Sequence, residues 1–309
     1  MVNGTASIRP MPRLAGPPAV THRTVRTARL RTHVAEAGSG PTILMLHGWP
    51  QHWYAWRHLI PLLADRYRLV CPDLRGFGWT EAPKTGYRTD DLVDDALALL
   101  DALELDEVLV VGHGDGARVG FQLGLREPSR VRRFVALNQS APFGGERRAL
   151  RRHAWRYLWT PLVETTLLGR WVVRHVPSLT RSLLRRTAAP DAGSRLAVDE
   201  FAAAVREPRR AYASERLMHE FAYHELLPIV RGRFRDRRLT VPTLLMAGAA
   251  DPLLQPALVD QALEYADDLR LLVVPGAGHY LHEELPQLVA DSIGDFFLPA
   301  LRDAYPRAS

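Results

Sequence analysis

Short continuous apolar segments alternate with helical ones along most of this chain, and that rhythm narrows its possible folds more than any other feature. Buried strands are expected at 43–46, 68–71, 107–111, 132–137, 241–247 and 269–274, and helices at 53–64, 90–103, 116–125 and 285–301. In the second helix Leu92, Ala96, Leu99 and Leu103 fall on one face, and Thr89 stands where a cap belongs. Strands that are apolar at every position, rather than at alternate ones, belong in a parallel sheet covered on both faces. An alternating stretch over 24–38 adds a hairpin-like start. Between about 144 and 238 the rhythm stops; that block is helical in pattern, rich in Trp and Arg, and has no convincing buried strand. The chain therefore reads as an α/β core over 24–143 and 239–309. A helical cap over 144–238 is inserted above the carboxyl edge of the sheet, where such folds bind ligands. Residues 1–23, rich in Pro and Gly, read as a loose arm.

Composition bounds the function. With 309 residues, 47% hydrophobic and 24% charged, the chain can bury a sizeable core and is not of collagen-like or disordered type. No apolar run reaches the roughly 18 residues of a membrane span, and the opening residues lack the long apolar centre of a secretory signal. The single cysteine, Cys71, cannot form an internal disulfide, which fits a reducing cytoplasm. The net charge of +6 is built from arginines and one lysine, Lys84. The arginines run along the whole chain, denser at 147–156 and 231–238, without zinc-ligand spacing or an aromatic–basic motif, so neither nucleic acid nor membrane is expected as a partner. The glycines at 112, 114 and 116 lack the spacing of a dinucleotide fingerprint, and no cofactor or metal is expected.

Chemistry concentrates in a few signatures. Val110-Val111-Gly112-His113-Gly114-Asp115-Gly116-Ala117-Arg118 is a strand–turn–helix with small residues two positions either side of its centre. Before it stand His47-Gly48-Trp49-Pro50-Gln51 with Trp53-Tyr54-Ala55-Trp56-Arg57, then Asp73-Leu74-Arg75-Gly76-Phe77-Gly78-Trp79-Thr80. After it come Asp251, in a loop following an apolar strand, and His279 in Pro275-Gly276-Ala277-Gly278-His279. In order and spacing these resemble the α/β-hydrolase fold family, in its epoxide-hydrolase and haloalkane-dehalogenase branch, over about residues 24–300.

That resemblance implies a mostly parallel, doubly wound sheet with an inserted cap. It implies His279 as catalytic base and Asp251 as its orienting acid. The backbone N–H groups of Trp49 and Asp115 would form an oxyanion hole. His47 and His113 read as structural, and Asn138, where some relatives place their acid, cannot supply that charge. The central elbow residue should be the nucleophile. Members of this branch usually read Gly-His-Asp-Trp-Gly there; this chain reads Gly-His-Gly-Asp-Gly with no insertion, so Gly114 stands at the nucleophile position without a side chain. Glycine adopts the positive φ of such an elbow without the strain of about 1–3 kcal/mol that other residues meet. Its lack of a side chain leaves room beside His279 for water or a substrate group.

Asp115 would repel halide, which argues against dehalogenation. A carboxylate enclosed under an apolar cap holds its proton more tightly than one in water, making Asp115 a candidate acid or base. Capping the following helix, or pairing with Arg118, is the alternative. Arg118 could equally hold an anionic substrate group. By the same resemblance one or two of the cap tyrosines Tyr157, Tyr212 and Tyr223 would donate to an epoxide oxygen. Trp155, Trp159 and Trp171 would make the inner face of the cap aromatic, suiting a bulky hydrophobic small molecule. Three functions fit: acid–base chemistry through His279 and Asp251 without a covalent ester, a hydrolase using Asp115 as nucleophile, and a non-catalytic binding protein. The first is favoured and embraces epoxide opening, cyclisation, lyase chemistry or carbon–carbon bond formation, activities that some relatives of this fold serve in natural-product biosynthesis.

Overall fold

A computed structural model describes residues 10–14, 18–143, 165–192, 195–254 and 261–304. Eight strands form one sheet: β1 (Thr21–Arg26), β2 (Arg31–Ala37), β3 (Thr42–Leu46), β4 (Arg68–Pro72), β5 (Val108–His113), β6 (Val131–Leu137), β7 (Thr243–Gly248) and β8 (Leu269–Val274). Their spatial order is β1-β2-β4-β3-β5-β6-β7-β8. From β4 onward neighbours run parallel, while β2 is antiparallel to both β1 and β4. The hairpin begins earlier than its alternating pattern suggests: Thr21 already pairs with Glu36, so the arm ends before residue 21. Within it, Met11 and Leu14 pack against the core.

Alternation along each strand explains why both faces are apolar. On β3, Leu44 and Leu46 point to one side, and Ile43 and Met45 to the other. The first face is covered by α1 (Thr89–Ala102) and α2 (Asp115–Arg126), through residues such as Leu92, Leu99, Phe121 and Leu123. The second is covered by α8 (Pro286–Ala304), through Val289, Ile293 and Phe297. The helix expected over 53–64 is instead two short turns, Trp53–Trp56 and Ile60–Leu63. Pro61 has no N–H to continue an earlier helix, and it sits where a new one starts. Thr89 is not a cap either; it lies inside α1, and its own N–H and hydroxyl donate to Glu225.

Between β6 and β7 the described residues are helical: α3 (Leu168–His175), α4 (Pro177–Thr187), α5 (Val198–Ala204) and α6 (Pro208–Glu220). A π-helical turn, Phe221–Glu225, joins α6 to α7 (Leu226–Val230). This is the cap. It rests on the core through Val173, Val205 and Ala211 around Trp49, and through Leu184, Val198 and Phe201 around Ala55 and Tyr280. Trp171 is 55% exposed and so does not line an inner face; Trp155 and Trp159 lie outside the described residues. Of the arginines at the cap's end, Arg233 reaches Asp90 and Arg238 reaches Asp267, both on the core. Among the described residues no helix is long and apolar enough to cross a membrane.

Two glycines let α2 sit close to the sheet. A Cβ on Gly116 would lie 1.9 Å from the Leu46 carbonyl oxygen, and one on Gly120 would lie 2.4 Å from the Phe134 ring. The first contact is with backbone, which cannot rotate away. Gly116→Ala should therefore cost about 1–3 kcal/mol of stability, the usual cost of overpacking a tight core. A lower urea midpoint would show it, and an unchanged midpoint would contradict this packing.

Candidate active site

Because β3 and β5–β8 run parallel, the loops that follow them gather at one edge of the sheet. There they bring together Trp49, Gly114, Asn138, Asp251 and His279. The β5–α2 connection is a single residue, Gly114, at φ 51° and ψ −118°. Among the described residues a Cβ there would meet Gly48 Cα at 3.6 Å and His279 Nε2 at 3.9 Å. The turn thus aims the side-chain direction of residue 114 at the imidazole.

His279 is 9% exposed. Its Nδ1 lies 2.8 Å from Asp251 Oδ2, and since an ionised carboxylate only accepts, Nδ1 carries the proton and Nε2 is left as the free base. Asp251 also accepts from the Leu253 N–H at 2.8 Å and from Asn138 Nδ2 at 2.9 Å. Burial would raise the Asp251 carboxyl, but the His279 charge and these hydrogen bonds hold it below its usual range. Burial would likewise lower the His279 imidazole. The Asp251 carboxylate, helped by the charges of Glu284 and Asp115, outweighs it and holds His279 above 6.5. Asn138, dismissed as an acid from sequence, is a donor to the acid instead.

The loop bearing His279 is tied from both sides. Glu284 accepts from the N–H groups of Gly278 at 2.6 Å and Tyr280 at 3.1 Å, and the His279 N–H donates to the Thr187 carbonyl of the cap at 2.8 Å. His113 Nε2 donates to the His279 carbonyl at 2.9 Å. His47 donates from Nδ1 to the Gly48 carbonyl and accepts at Nε2 from the Leu74 N–H. Burial pushes His113 down to about 3 and His47 down to about 4, so both stay neutral while making these backbone bonds. Nothing in the spacing of Glu284 marks it out; its contribution exists only once the loop has closed.

Of the two alternatives that sequence left to a free acid, Asp115 takes the Arg118 pair and not the cap: it is the first residue of α2, with Gly114 at the cap position, and it makes one further contact. Its Oδ1 lies 2.8 Å from Arg118 Nη2, and its Oδ2 accepts from the Trp49 N–H at 3.0 Å. The carboxylate therefore sits on one of the two N–H groups that the resemblance assigns to an oxyanion hole. Arg118 is spent on this pair, lies over the Phe221 ring at 4.1 Å, and is not open to a substrate anion. Tyr212 donates its hydroxyl to the Lys84 carbonyl, and Tyr223 is 58% exposed beside His219, so neither is brought to His279. Tyr157 lies outside the described residues.

Residues 41–286 match the family described as alpha/beta hydrolase fold, and the chain belongs to that family. It is 43% identical to epoxide hydrolase 2 of Siraitia grosvenorii over 122 residues, which span 38% of this chain and 39% of that protein. Over a longer stretch it is 29% identical to 2-(acetamidomethylene)succinate hydrolase of Mesorhizobium japonicum, covering 89% of this chain and 94% of that one. Among solved structures it is similar to the ligand-free epoxide hydrolase CorEH, with a TM-score of 0.77, 26% identity, and coverage of 91% and 99% of the two chains.

Proposed function

We propose that this protein hydrolyses an epoxide on a hydrophobic small molecule, and that it does so by direct attack of water. The observation that carries this reading is that the side-chain direction at Gly114 faces His279 Nε2, 3.9 Å from where a Cβ would lie. A water in the space beyond that Cβ position, closer to the imidazole, would donate to Nε2 and present its oxygen toward the space beneath the cap. In the reaction, the water oxygen bonds to an epoxide carbon, the ring C–O bond breaks, and the water proton passes to Nε2. The ring oxygen leaves as an alkoxide and takes a proton, giving a diol and restoring the imidazole. Asp251 stabilises the imidazolium formed on the way. The epoxide-hydrolase relatives support epoxide opening over the cyclisation, lyase and carbon–carbon bond-forming readings that stood beside it from sequence, and they support at least as well a hydrolase that uses Asp115. Gly114 at the nucleophile position, and water in place of an ester, are our own reading of the elbow.

A second reading is favoured by one contact. Asp115 Oδ2 on the Trp49 N–H is held much as an attacking carboxylate would be held. Under that reading Asp115 forms the ester. The Arg118 pair on its other oxygen weakens it as a nucleophile, and we rank it second.

Diol formation from neutral epoxide probes, such as styrene oxide and trans-stilbene oxide, tests the class. Since the free base of His279 is required and its pKa is held above 6.5, kcat/KM should rise with pH through a midpoint above 6.5. Asp251→Asn leaves burial as the dominant influence and should move that midpoint down. Activity independent of pH between 5 and 8, on about that scale of histidine titration, would contradict the assignment.

A further inference from the structure

The cap reaches the elbow through a buried line of side chains. Glu225, in the π-helical turn of the cap and 3% exposed, accepts from the Thr89 N–H at 2.8 Å and from the Thr89 hydroxyl at 2.5 Å. The same hydroxyl oxygen accepts from Arg118 Nε at 2.9 Å. Arg118 Nη2 meets Asp115 Oδ1, and Asp115 Oδ2 receives the Trp49 N–H. The polarity of this line is fixed. A guanidinium only donates, so the one Thr89 hydroxyl proton must go to Glu225, and the Arg118 plane is locked between a hydroxyl on one side and a carboxylate on the other. Phe221, from the same turn, closes the face of that plane. π-Turns interrupt helices at a cost in regularity and are frequent at functional sites. This one brings Glu225 and Phe221 of one turn onto a single arginine and its threonine partner.

We propose that Glu225 is a positioning residue for Asp115: by docking on Thr89, the cap fixes Arg118 and so holds the Asp115 carboxylate against the Trp49 N–H. Seating of the cap and placement of charge at the elbow are then one event. The inference concerns where Asp115 is held and does not rest on the hydrolytic reading.

Backbone hydrogen exchange at the Trp49 amide, followed by NMR on the full chain, tests it without turnover. Thr89→Val removes the hydroxyl at nearly constant shape, and Thr89→Ser restores it. Thr89→Val and Glu225→Ala should each speed exchange at Trp49 at least about tenfold, the scale of one lost hydrogen bond of roughly 1.4 kcal/mol. Exchange at Val110 should be unchanged, and Thr89→Ser should keep the parent rate at Trp49. Asp115→Ala sets the upper limit for a freed amide. Parent-like exchange at Trp49 in Thr89→Val would overturn the proposal, as would parent-like exchange in Asp115→Ala. Equal acceleration at Val110 and Trp49 would also overturn it, by showing general loosening instead.

Discussion

His279→Gln should lower kcat for epoxide hydrolysis by about two to four orders of magnitude, the usual contribution of a positioned general base. Glutamine keeps much of the bulk, and the bonds that fasten the His279 loop to Glu284, Thr187 and His113 all run to backbone atoms, so the ring's own hydrogen bond, to Asp251, is the one disturbed. The variant should therefore fold like the parent and bind the epoxide with similar KM, losing only the proton transfer. Under direct attack by water it should accumulate no covalent adduct, because no enzyme carboxylate ever bonds to the substrate. If Asp115 were the nucleophile, the same variant would trap an ester on Asp115, since the base needed to hydrolyse it would be gone. Mass spectrometry of the intact protein after exposure to styrene oxide separates the two outcomes.

Gly114→Asp should change the mechanism. The elbow has room for the first carbon of a new side chain, which among the described residues would meet Gly48 Cα and His279 Nε2 at ordinary contact distance. Its φ of 51° makes any L side chain strained, so about 1–3 kcal/mol of stability should be lost. The introduced carboxylate would lie where the family's nucleophile is expected and would displace the water. Combined with His279→Gln, it should convert the protein to a form that accumulates close to one equivalent of ester, mapped to position 114. An adduct-free double variant that still folds would mean that the Gly114 position does not face the reacting carbon.

Much of the fold was legible because burial on both sheet faces forces continuous apolar strands, as at 43–46, 68–71, 107–111, 132–137 and 241–247; the run at 269–274 does form a strand, but β8 is at the sheet edge and only its Val274 is buried. The His279–Asp251 pair was legible only through resemblance; their 2.8 Å contact joins loops after two different strands, and no local pattern specifies it. The break in the 53–64 helix is marked by Pro61, but the apolar run continues through it and hides the interruption. Asp115 shows the limit most clearly. Sequence offered an acid, a cap or an Arg118 partner, and the Trp49 N–H contact depends on how two distant loops close on each other. The line from Glu225 to Asp115 was likewise invisible, because Thr89 reads as a helix cap until the cap domain docks on it.

In the proposed reaction water, not an enzyme carboxylate, opens the epoxide. A single turnover in ¹⁸O-water, with protein in excess over styrene oxide, distinguishes the two. One ¹⁸O is expected in the diol and none in the peptide carrying Asp115. An unlabelled diol, with ¹⁸O in the Asp115 carboxylate, would contradict it.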